Sequence, residues 1–432
     1  MLRKRLTLIL LVFAIACDKQ ITTELSLNPT DVYIKKLSSE LESLRPGEQI
    51  DLGVTLVGTS SEWTYEWTCD VGTVSGDMTS IIWSAPFEAG EFGITFRLLV
   101  EGVIADSVDA VFVVLESDDP LGYWVTRSPL PRPRQEIAPA YLNGKIYVVG
   151  GMTSTGLPSN MVDIYDPETD RWSVGMPLPV ARHHLSLTAA YGKLYAIGGV
   201  SSAFPTFTPA LQVFEYDPST DSWTSKAPLE HTKIEHVAAT VGGKIYVVGG
   251  RNGHVAIDTL EIYDPLVDVW TRGAPLPLAR THLSIAVIGN KLYAAGGRAL
   301  VVEPGPIPDY YFVNYNQLEV YSPDSDSWES LSSMPTARSA LGAASLDGKL
   351  YTFGGEYISG PSVGWFAFEK TEAYDPISGS WTSLASIPTP RHSTVGVTVG
   401  RVIYLIGGAD QAAVKPTGVN QVFVPLSLIL GL

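Results

Sequence analysis

Cysteine is nearly missing from this sequence, which has only Cys17 and Cys69 among its 432 residues. Cys17 stands at the end of an apolar N-terminal segment. The chain beyond it contains a single thiol, and that part of the chain therefore cannot form an internal disulfide. The stability of the fold must therefore come from packing. Cys69 is expected to be a small buried apolar residue on a strand rather than a reactive thiol.

Basic residues are also scarce, since 29 Lys and Arg stand against 45 Asp and Glu and leave a formal net charge of −16. This balance excludes nucleic acid as a partner, because phosphate binding needs a basic surface. The charge favours solubility and says nothing about the fold. By contrast, 40 Gly and 30 Pro without a regular period are typical of a turn-rich all-β protein.

Long apolar runs are missing except at the N-terminus, where Leu6 to Ala16 is apolar apart from Thr7. These eleven residues follow a basic start at residues 3–5. They are too few to span a bilayer as a stable helix, but their number suits the apolar core of a signal peptide. Residues 1–16 are therefore predicted to be an export signal.

The end of this segment reads Ala-Ile-Ala-Cys over residues 14–17. It resembles the lipobox of bacterial lipoproteins, except that Ala14 stands where that family more often has Leu. The resemblance implies lipidation of Cys17, a tether over residues 17–28, and attachment to a membrane of the bacterial cell envelope. Ordinary cleavage after Ala16, which leaves a free N-terminal thiol, is the alternative.

Residues 29–118 alternate between apolar and polar positions in several short runs, separated by turn signals at residues 45–47 and 75–77. About seven strands in some ninety residues is the size of an immunoglobulin-like β-sandwich. The stretch Trp-Ser-Ala-Pro at residues 83–86 resembles bacterial Ig-like domains of surface proteins. The paired cysteines of antibody domains are absent, so the resemblance concerns architecture alone and indicates a spacer.

A repeat occupies residues 119–432. Six tryptophans are each followed 26 residues later by a Gly-Gly pair, and one offset that recurs six times indicates a repeated supersecondary unit. The tryptophans are Trp124, Trp172, Trp223, Trp270, Trp328 and Trp381, and the pairs begin at Gly150, Gly198, Gly249, Gly296, Gly354 and Gly407. The stretch from each Gly-Gly to the next Trp varies in length, which is typical of loops that carry binding function.

A Tyr precedes every Gly-Gly pair by three residues, and four of the repeats place Asp-Pro shortly before the next Trp. This combination over residues 124–425 resembles the kelch repeat, which implies a β-propeller of four-stranded blades. The innermost strands of a propeller need small side chains, as in the stretch Leu-Gly-Ala-Ala-Ser at residues 341–345. The chain is therefore predicted to be all-β, with a six-bladed kelch β-propeller preceded by an Ig-like sandwich.

The two ends of the repeat region predict how the ring closes. Trp124 belongs to a fourth strand without its own blade, and residues 419–425 form a third strand without a following Trp. Together they would complete one blade and hide a sheet edge that otherwise invites aggregation.

A basic residue follows each of the six tryptophans by ten positions. Sixfold symmetry would place these cations in a ring near the channel mouth, on the face that carries the loops between second and third strands and the connections between blades. Two interpretations remain open, a structural role in bonding backbone carbonyls and a binding role toward a carboxylate, sulfate or acidic peptide. The residues of this basic ring are Arg134, Arg182, Lys233, Arg280, Arg338 and Arg391.

Seven histidines occur, all in the propeller and six of them on or beside the connections between blades. Kelch repeats often place His just after this basic residue. Because no metal-binding spacing converges within one blade and the repeats distribute ligands around the ring, no metal and no cofactor are expected.

Two long loops between second and third strands are rich in aromatic residues. The fourth-blade loop contains Tyr310 and Tyr311, and the fifth-blade loop contains Trp365 and Phe366. Exposed aromatic residues on loops are typical of protein hot spots and of sugar-stacking surfaces. Folding of these rings onto their own blade as a small satellite core is the alternative.

The leading functional interpretation is an extracytoplasmic, membrane-anchored binding protein that recognises an envelope protein or a glycan on this loop face. Kelch-like propellers also include enzymes. An oxidase like galactose oxidase is excluded, because it needs a Cys crosslinked to Tyr and the propeller has no Cys. A sialic-acid mutarotase-like epimerase remains the alternative, with Glu136, Glu235 and His236 available for proton transfer. No catalytic residue is assigned.

Overall fold

The computed structural model of the chain describes residues 33–39, 47, 49–57, 63–76, 80–85, 90–100, 103–114, 121–303, 309–358, 365–411 and 414–425. The predicted signal peptide, Cys17 and the tether lie outside these residues. The chain divides into an N-terminal unit that ends at Pro120 and a C-terminal unit that begins at Leu121. Among the described residues, no helix has the length and apolar character needed to cross a bilayer.

The N-terminal unit contains two antiparallel sheets. The first has the strand order Tyr33–Ser39, Gln49–Val57, Ser80–Ser84, Thr73–Gly76, and the second has the order Trp63–Cys69, Gly90–Val100, Val103–Val114. Ile50, Leu52 and Trp83 of the first sheet share one apolar core with Ile94 of the second. The two sheets therefore lie face to face. Cys69 ends its strand half-buried beside this core.

The described part of the C-terminal unit contains six antiparallel four-stranded sheets, the blades, and three short hairpins. From the innermost to the outermost strand, the first three blades are Ala138–Leu142, Lys145–Val149, Val162–Asp166, Arg171–Val174; Ser186–Ala190, Lys193–Ile197, Val213–Asp217, Ser222–Lys226; and Val237–Val241, Lys244–Val248, Leu260–Asp264, Val269–Gly273. The last three are Ser284–Ile288, Lys291–Ala295, Leu318–Ser322, Ser327–Ser330; Gly342–Leu346, Lys349–Phe353, Thr371–Asp375, Ser380–Ser383; and Gly396–Val399, Val402–Ile406, Asn420–Val424, Tyr123–Arg127.

The three hairpins project from the loops between second and third strands of blades 3, 4 and 5. They are Arg251–Asn252 with Val255–Ala256, Arg298–Glu303 with Asp309–Asn314, and Glu356–Tyr357 with Phe366–Ala367. Because strand direction alternates within a blade, these hairpins emerge on the same face as the connections between blades. We call this face the loop rim.

The blades form a closed ring, because the innermost strands of consecutive blades contact each other all the way round. Gly396–Val399 of the last blade lies against Ala138–Leu142 of the first. Within the last blade Tyr123–Arg127 pairs with Asn420–Val424, so that Trp124 faces Phe423 across the ladder. The predicted all-β, six-bladed propeller is thereby confirmed.

The repeated Trp links each outermost strand to the preceding blade. In all six blades its indole N–H donates to a backbone carbonyl of that blade at 2.8–3.0 Å, as Trp223 does to Met176 and Trp328 does to Ala274. In five blades its ring also packs on the Tyr that faces it on the third strand, with 4.9 Å between the ring centroids of Trp223 and Tyr216, and in the last blade Trp124 packs on Phe423. The repeated Trp thus attaches each blade to the one before it.

Candidate functional site

The basic ring lies inside the blades, where each of its six side chains is at most 1% exposed. Arg134 shows the arrangement. Its Nε donates to the carbonyl of Gly150 at 2.7 Å, and its NH2 group donates to Asp163 at 2.7 Å. Such hydrogen bonds to a backbone carbonyl and a neighbouring carboxylate are what a structural role of the basic ring predicts. They leave these six side chains almost no exposed surface for a ligand.

Four members of the basic ring are paired with a carboxylate from the third strand of the same blade. The pairs are Arg134 with Asp163, Lys233 with Glu261, Arg280 with Glu319, and Arg338 with Glu372. In each case the acidic residue precedes the blade's third-strand Tyr by two positions. Burial costs a charged pair its hydration, so the pairs keep their charge only through this close contact and further hydrogen bonds.

Arg182 and Arg391 depart from this pairing. The position that carries the carboxylate in the other blades holds Phe214 and Gln421. Arg182 stacks over the Phe214 ring at 5.0 Å and bonds Gln212, whereas Arg391 donates to Gln421 and two carbonyls. Burial without a counter-charge lowers the pKa of Arg182 to about 10 and that of Arg391 to about 9, so both remain charged at neutral pH.

A second ring lies two residues after the basic one. All its members have a left-handed backbone, with φ between 49° and 60°, which non-glycine residues seldom adopt. Five hydrogen bonds of 2.8–3.2 Å run around the axis, each from the N–H of one member to the carbonyl of the preceding one. We call this set the axial ring; its members are Glu136, His184, Glu235, His282, Ala340 and Ser393.

The axial ring lines a cavity of about 130 Å³. Residues with strained backbone cluster at functional sites and persist only where the surrounding structure enforces that conformation. Here the hydrogen-bonded circle supplies that enforcement. The side chains of the ring are therefore held in fixed positions around the channel mouth.

Glu136 and His184 form the first ion-pair contact within this ring, with 3.3 Å between Oε1 of Glu136 and Nε2 of His184. Burial alone would raise the pKa of Glu136, but the charge of His184 and its hydrogen bond outweigh burial and hold that pKa well below the usual range. For His184 burial acts to lower the pKa, and Glu136 reverses this and raises it. The other ring nitrogen of His184, Nδ1, shares a hydrogen bond with Nδ1 of His183.

Glu235 and His282 form the second ion-pair contact, with 3.1 Å between Oε2 of Glu235 and Nδ1 of His282. Arg251 donates to both carboxylate oxygens of Glu235 at 2.7 Å, and Thr281 adds a third hydrogen bond. Burial raises the pKa of Glu235, but His282 and Arg251 outweigh it and hold the pKa well below the usual range. Burial and the charge of Arg298 lower the pKa of His282.

A charged extension lies beside the axial ring. Arg298 and Glu356 directly follow the Gly-Gly pairs of blades 4 and 5, and they form a buried ion pair. Arg298 also donates to Nε2 of His282 at 3.1 Å, and Glu356 lies 3.3 Å from Nδ1 of His392. The equivalent positions in blades 1, 2 and 6 are Met152, Val200 and Ala409. Charge is thus concentrated on one half of the loop rim.

The aromatic residues predicted for binding lie on the hairpins of blades 4 and 5. Trp365 is 43% exposed and Phe366 is 49% exposed, whereas Tyr311 is half-buried on the strand that also contains Tyr310. Phe366 stacks on Tyr357 with 5.6 Å between ring centroids. In blade 5 the loop therefore presents aromatic surface to solvent, and Phe366 is held by ring contacts with Tyr357 and Phe368.

His236 is packed against the adjacent blade, unlike Glu235, which precedes it in the sequence and bonds Arg251 and His282. It occupies the position of Leu185 and Leu283 in other blades, and its ring lies against Gly198 of the adjacent blade. Burial lowers its pKa to about 3, which makes it a neutral packing residue. All three residues considered for proton transfer line the cavity, but only Glu136 and Glu235 belong to the axial ring.

The axial ring is the part of the site that sequence reasoning missed. Its signal is present, since the residues two positions after the basic ring read Glu, His, Glu, His, Ala, Ser. Spacing within one blade could not reveal it, because its members come from six different blades. Only the closed ring brings Glu136, His184 and His282 within 4.8 Å of one another.

Comparisons with known proteins agree with this architecture. A Kelch motif family model matches residues 133–179 and 181–230, and a model described as the KLHDC2/KLHL20/DRC7 Kelch-repeats domain matches residues 235–422. The solved structure of YjhT superposes with a TM-score of 0.59 at 16% identity, covering 69% of this chain and 97% of YjhT. At that identity the likeness concerns the fold alone.

Two curated relatives share shorter segments. Kelch-like protein 35 of Mus musculus is 28% identical over 132 residues, which are 30% of this chain and 21% of that protein. Kelch-like ECH-associated protein 1A of Danio rerio is 39% identical over 98 residues, or 21% of this chain and 15% of that protein. The matched segments thus span about a fifth or less of these relatives. With the six blades, the matches establish that this chain carries kelch repeats folded into a six-bladed β-propeller.

Proposed function

We propose that this chain binds a protein partner through its loop rim. Kelch propellers are typical of protein-binding proteins, which supports this class of function. The binding surface we assign is the aromatic patch of blade 5, Trp365 and Phe366 with Tyr357 and Phe368. A glycan is the other ligand class that suits such a surface.

The observation that carries this proposal is a pair of adjacent exposed aromatic side chains on the loop rim, Trp365 at 43% and Phe366 at 49% exposure. Phe366 packs between Tyr357 and Phe368, with 5.6 and 5.0 Å between ring centroids. Rigid aromatic side chains bind with little loss of conformational entropy, and they are common hot spots of protein interfaces. The basic ring is not part of this surface, because it is buried.

We further propose that the propeller is presented from a bacterial membrane through lipidated Cys17, with residues 29–118 as an Ig-like spacer and an envelope protein as the partner. The face-to-face sheets of the N-terminal unit, with seven strands among its described residues, support the spacer role. Support for the anchor comes from the lipobox-like residues 14–17.

A mutarotase-like activity is not favoured. Its sugar carboxylate would need an accessible arginine, and the arginines of the basic ring are at most 1% exposed. Arg251 and Arg298 are each engaged by a carboxylate, Glu235 and Glu356. Kelch architecture by itself does not decide between a binding protein and an enzyme.

Trp365→Ala is expected to weaken partner binding about 30-fold, because truncation of an aromatic hot spot costs about 2 kcal/mol. The matched control is Ile377→Ala, which removes a 99% exposed apolar side chain from a turn between third and fourth strands, on the face opposite the loop rim. The measurement is the amount of each envelope protein captured by the immobilised chain at graded chain concentrations, with a glycan array run in parallel.

Equal capture by wild type, Trp365→Ala and Ile377→Ala would contradict the proposed surface. A glycan bound by wild type and lost in Trp365→Ala, without loss of protein capture, would assign the surface to the second ligand class. Circular dichroism of each variant shows whether the fold is retained, and the exposed position of Trp365 predicts that it is.

Cys17→Ser is expected to abolish incorporation of radiolabelled fatty acid and to release the protein from the membrane fraction, since thioether lipidation needs the thiol. Cys69→Ser is the control, because Cys69 is the one other cysteine and lies on a strand. Labelling that persists in Cys17→Ser, or that depends on Cys69, would exclude the proposed anchor.

A further inference from the structure

We propose that the axial ring binds a first-row divalent metal ion through Glu136, His184 and His282. This site is separate from the aromatic surface of the proposed function. One carboxylate oxygen and one nitrogen of each imidazole lie within 4.8 Å of one another. The three ligands come from blades 1, 2 and 4, so they converge on the channel axis.

The spacing of the ligands suits such an ion. Metal–ligand bonds of about 2.0–2.1 Å in a tetrahedral site place neighbouring ligand atoms about 3.4 Å apart. Oε1 of Glu136 and Nε2 of His184 already lie 3.3 Å apart. Two imidazoles and one carboxylate are a donor set that suits zinc and its first-row neighbours rather than calcium or magnesium.

Each proposed ligand has an outer partner that orients it, as ligands of metal sites usually do. Nδ1 of His184 bonds His183, and Nδ1 of His282 lies 3.1 Å from a carboxylate oxygen of Glu235. Ser393 donates its hydroxyl to Glu136. The carboxylate on His282 favours the tautomer that keeps Nε2 free of a proton.

The backbone fixes the ligands before any ion arrives. Glu136, His184 and His282 all have left-handed backbones at φ 52–54° and belong to the hydrogen-bonded circle of the axial ring. Preorganised ligands need little rearrangement on binding, which raises affinity. Ala340 and Ser393, which also belong to the axial ring, line the same cavity with small side chains.

The local charge can accommodate a dication. In and beside the axial ring, three carboxylates stand against two guanidinium groups, so with neutral imidazoles this cluster has one more negative than positive charge. These groups are Glu136, Glu235, Glu356, Arg251 and Arg298. The hydrogen bond from Arg298 to Nε2 of His282 is the contact that metal binding would replace, and Arg298 keeps Glu356 and Ser339 as partners.

A second group, Glu230, His231 and Glu261, has similar residue types but a less suitable setting. Lys233 pairs with Glu261 at 2.5 Å, and Arg272 bonds both Glu230 and His231 at 3.0 Å. Two cations therefore contact all three residues of this group, whereas Arg298 contacts one ligand of the proposed site, His282. A substitution of His231 therefore tests whether a metal ion binds at this second group instead.

The full chain, stripped of metal with a chelator and dialysed, is expected to bind one equivalent of Zn²⁺ in isothermal titration calorimetry. His184→Gln and His282→Gln should each weaken Zn²⁺ binding at least about 100-fold, because each removes a ligand where loss of a mere outer partner costs about 10- to 100-fold. Co²⁺ in place of Zn²⁺ gives a visible absorption spectrum that reports ligand geometry, and this spectrum should be lost in His184→Gln.

The controls are His231→Gln and His254→Gln, the latter an exposed residue of the third-blade hairpin turn, and both should bind Zn²⁺ like wild type. Glu136→Gln is a conservative second ligand variant for the case in which His184→Gln unfolds. The proposal is overturned if wild type binds no Zn²⁺, if Glu136→Gln and His282→Gln both keep wild-type affinity, or if His231→Gln alone loses binding.

Discussion

Arg338→Met is expected to lower the free energy of unfolding by about 3–5 kcal/mol, the usual result of removing one partner from a buried ion pair. Arg338 is fully buried, and its NH1 group contacts Glu372 at 2.5 Å while NH2 bonds Thr352. Without the guanidinium, Glu372 at 2% exposure would remain as an uncompensated buried charge. Urea denaturation followed by tryptophan fluorescence measures the loss.

Arg391→Met is the matched control, since this basic residue occupies the same position in its blade but has only uncharged partners. Its loss leaves unpaired carbonyls, at about 1–3 kcal/mol, but no buried charge. Adding Glu372→Gln to Arg338→Met should recover part of the lost stability. Equal destabilisation by Arg338→Met and Arg391→Met, with no recovery in the double variant, would show that the ion pair is not what holds this blade.

Gly354→Ala is expected to lower the free energy of unfolding by more than about 3 kcal/mol. Gly354 has φ of +55°, and a Cβ there would lie 2.1 Å from the carbonyl oxygen of Arg391 in the next blade. That carbonyl accepts a hydrogen bond from Gly355 at 2.8 Å, so moving it breaks a contact between blades. Thermal unfolding monitored by circular dichroism provides the measurement.

Gly400→Ala is the control that distinguishes the steric clash of the added Cβ from the cost of a left-handed backbone. Its φ of +56° is nearly the same, but no atom lies within 4 Å of the added Cβ. The left-handed conformation alone should cost about 1 kcal/mol. If Gly354→Ala and Gly400→Ala lower the free energy of unfolding equally, the close approach of the blades is not what requires glycine at position 354.

Much of the fold could be predicted because its determinants are local and repeated. The distance from Trp124 to Gly150, and its five copies, reflects strands of constant length that must pack on equivalent neighbours. Turn residues such as Asn143 and Gly144 need left-handed backbones, and they have them, with φ of 50° and 81°. A four-stranded unit that buries its faces only against copies of itself leads to a ring.

The site was harder to predict because its chemistry is not local. The basic ring was expected near the channel mouth, but a side chain's direction depends on partners such as Asp163 and Glu372 from another strand of the blade. The axial ring has one member per blade, so no stretch of sequence shorter than one repeat contains two of its residues. Which members touch follows from the number of blades and their circular order.

By itself, the sequence determined the repeat, the number of blades and the loops that vary, because these depend on periodic spacing and turn chemistry along the chain. Only the tertiary structure decided that the repeated bases are buried, and that glutamates and histidines of separate blades meet at the axis. The physical reason is closure, since a ring brings residues of separate blades, some fifty or more positions apart, within 4.8 Å of one another at the axis.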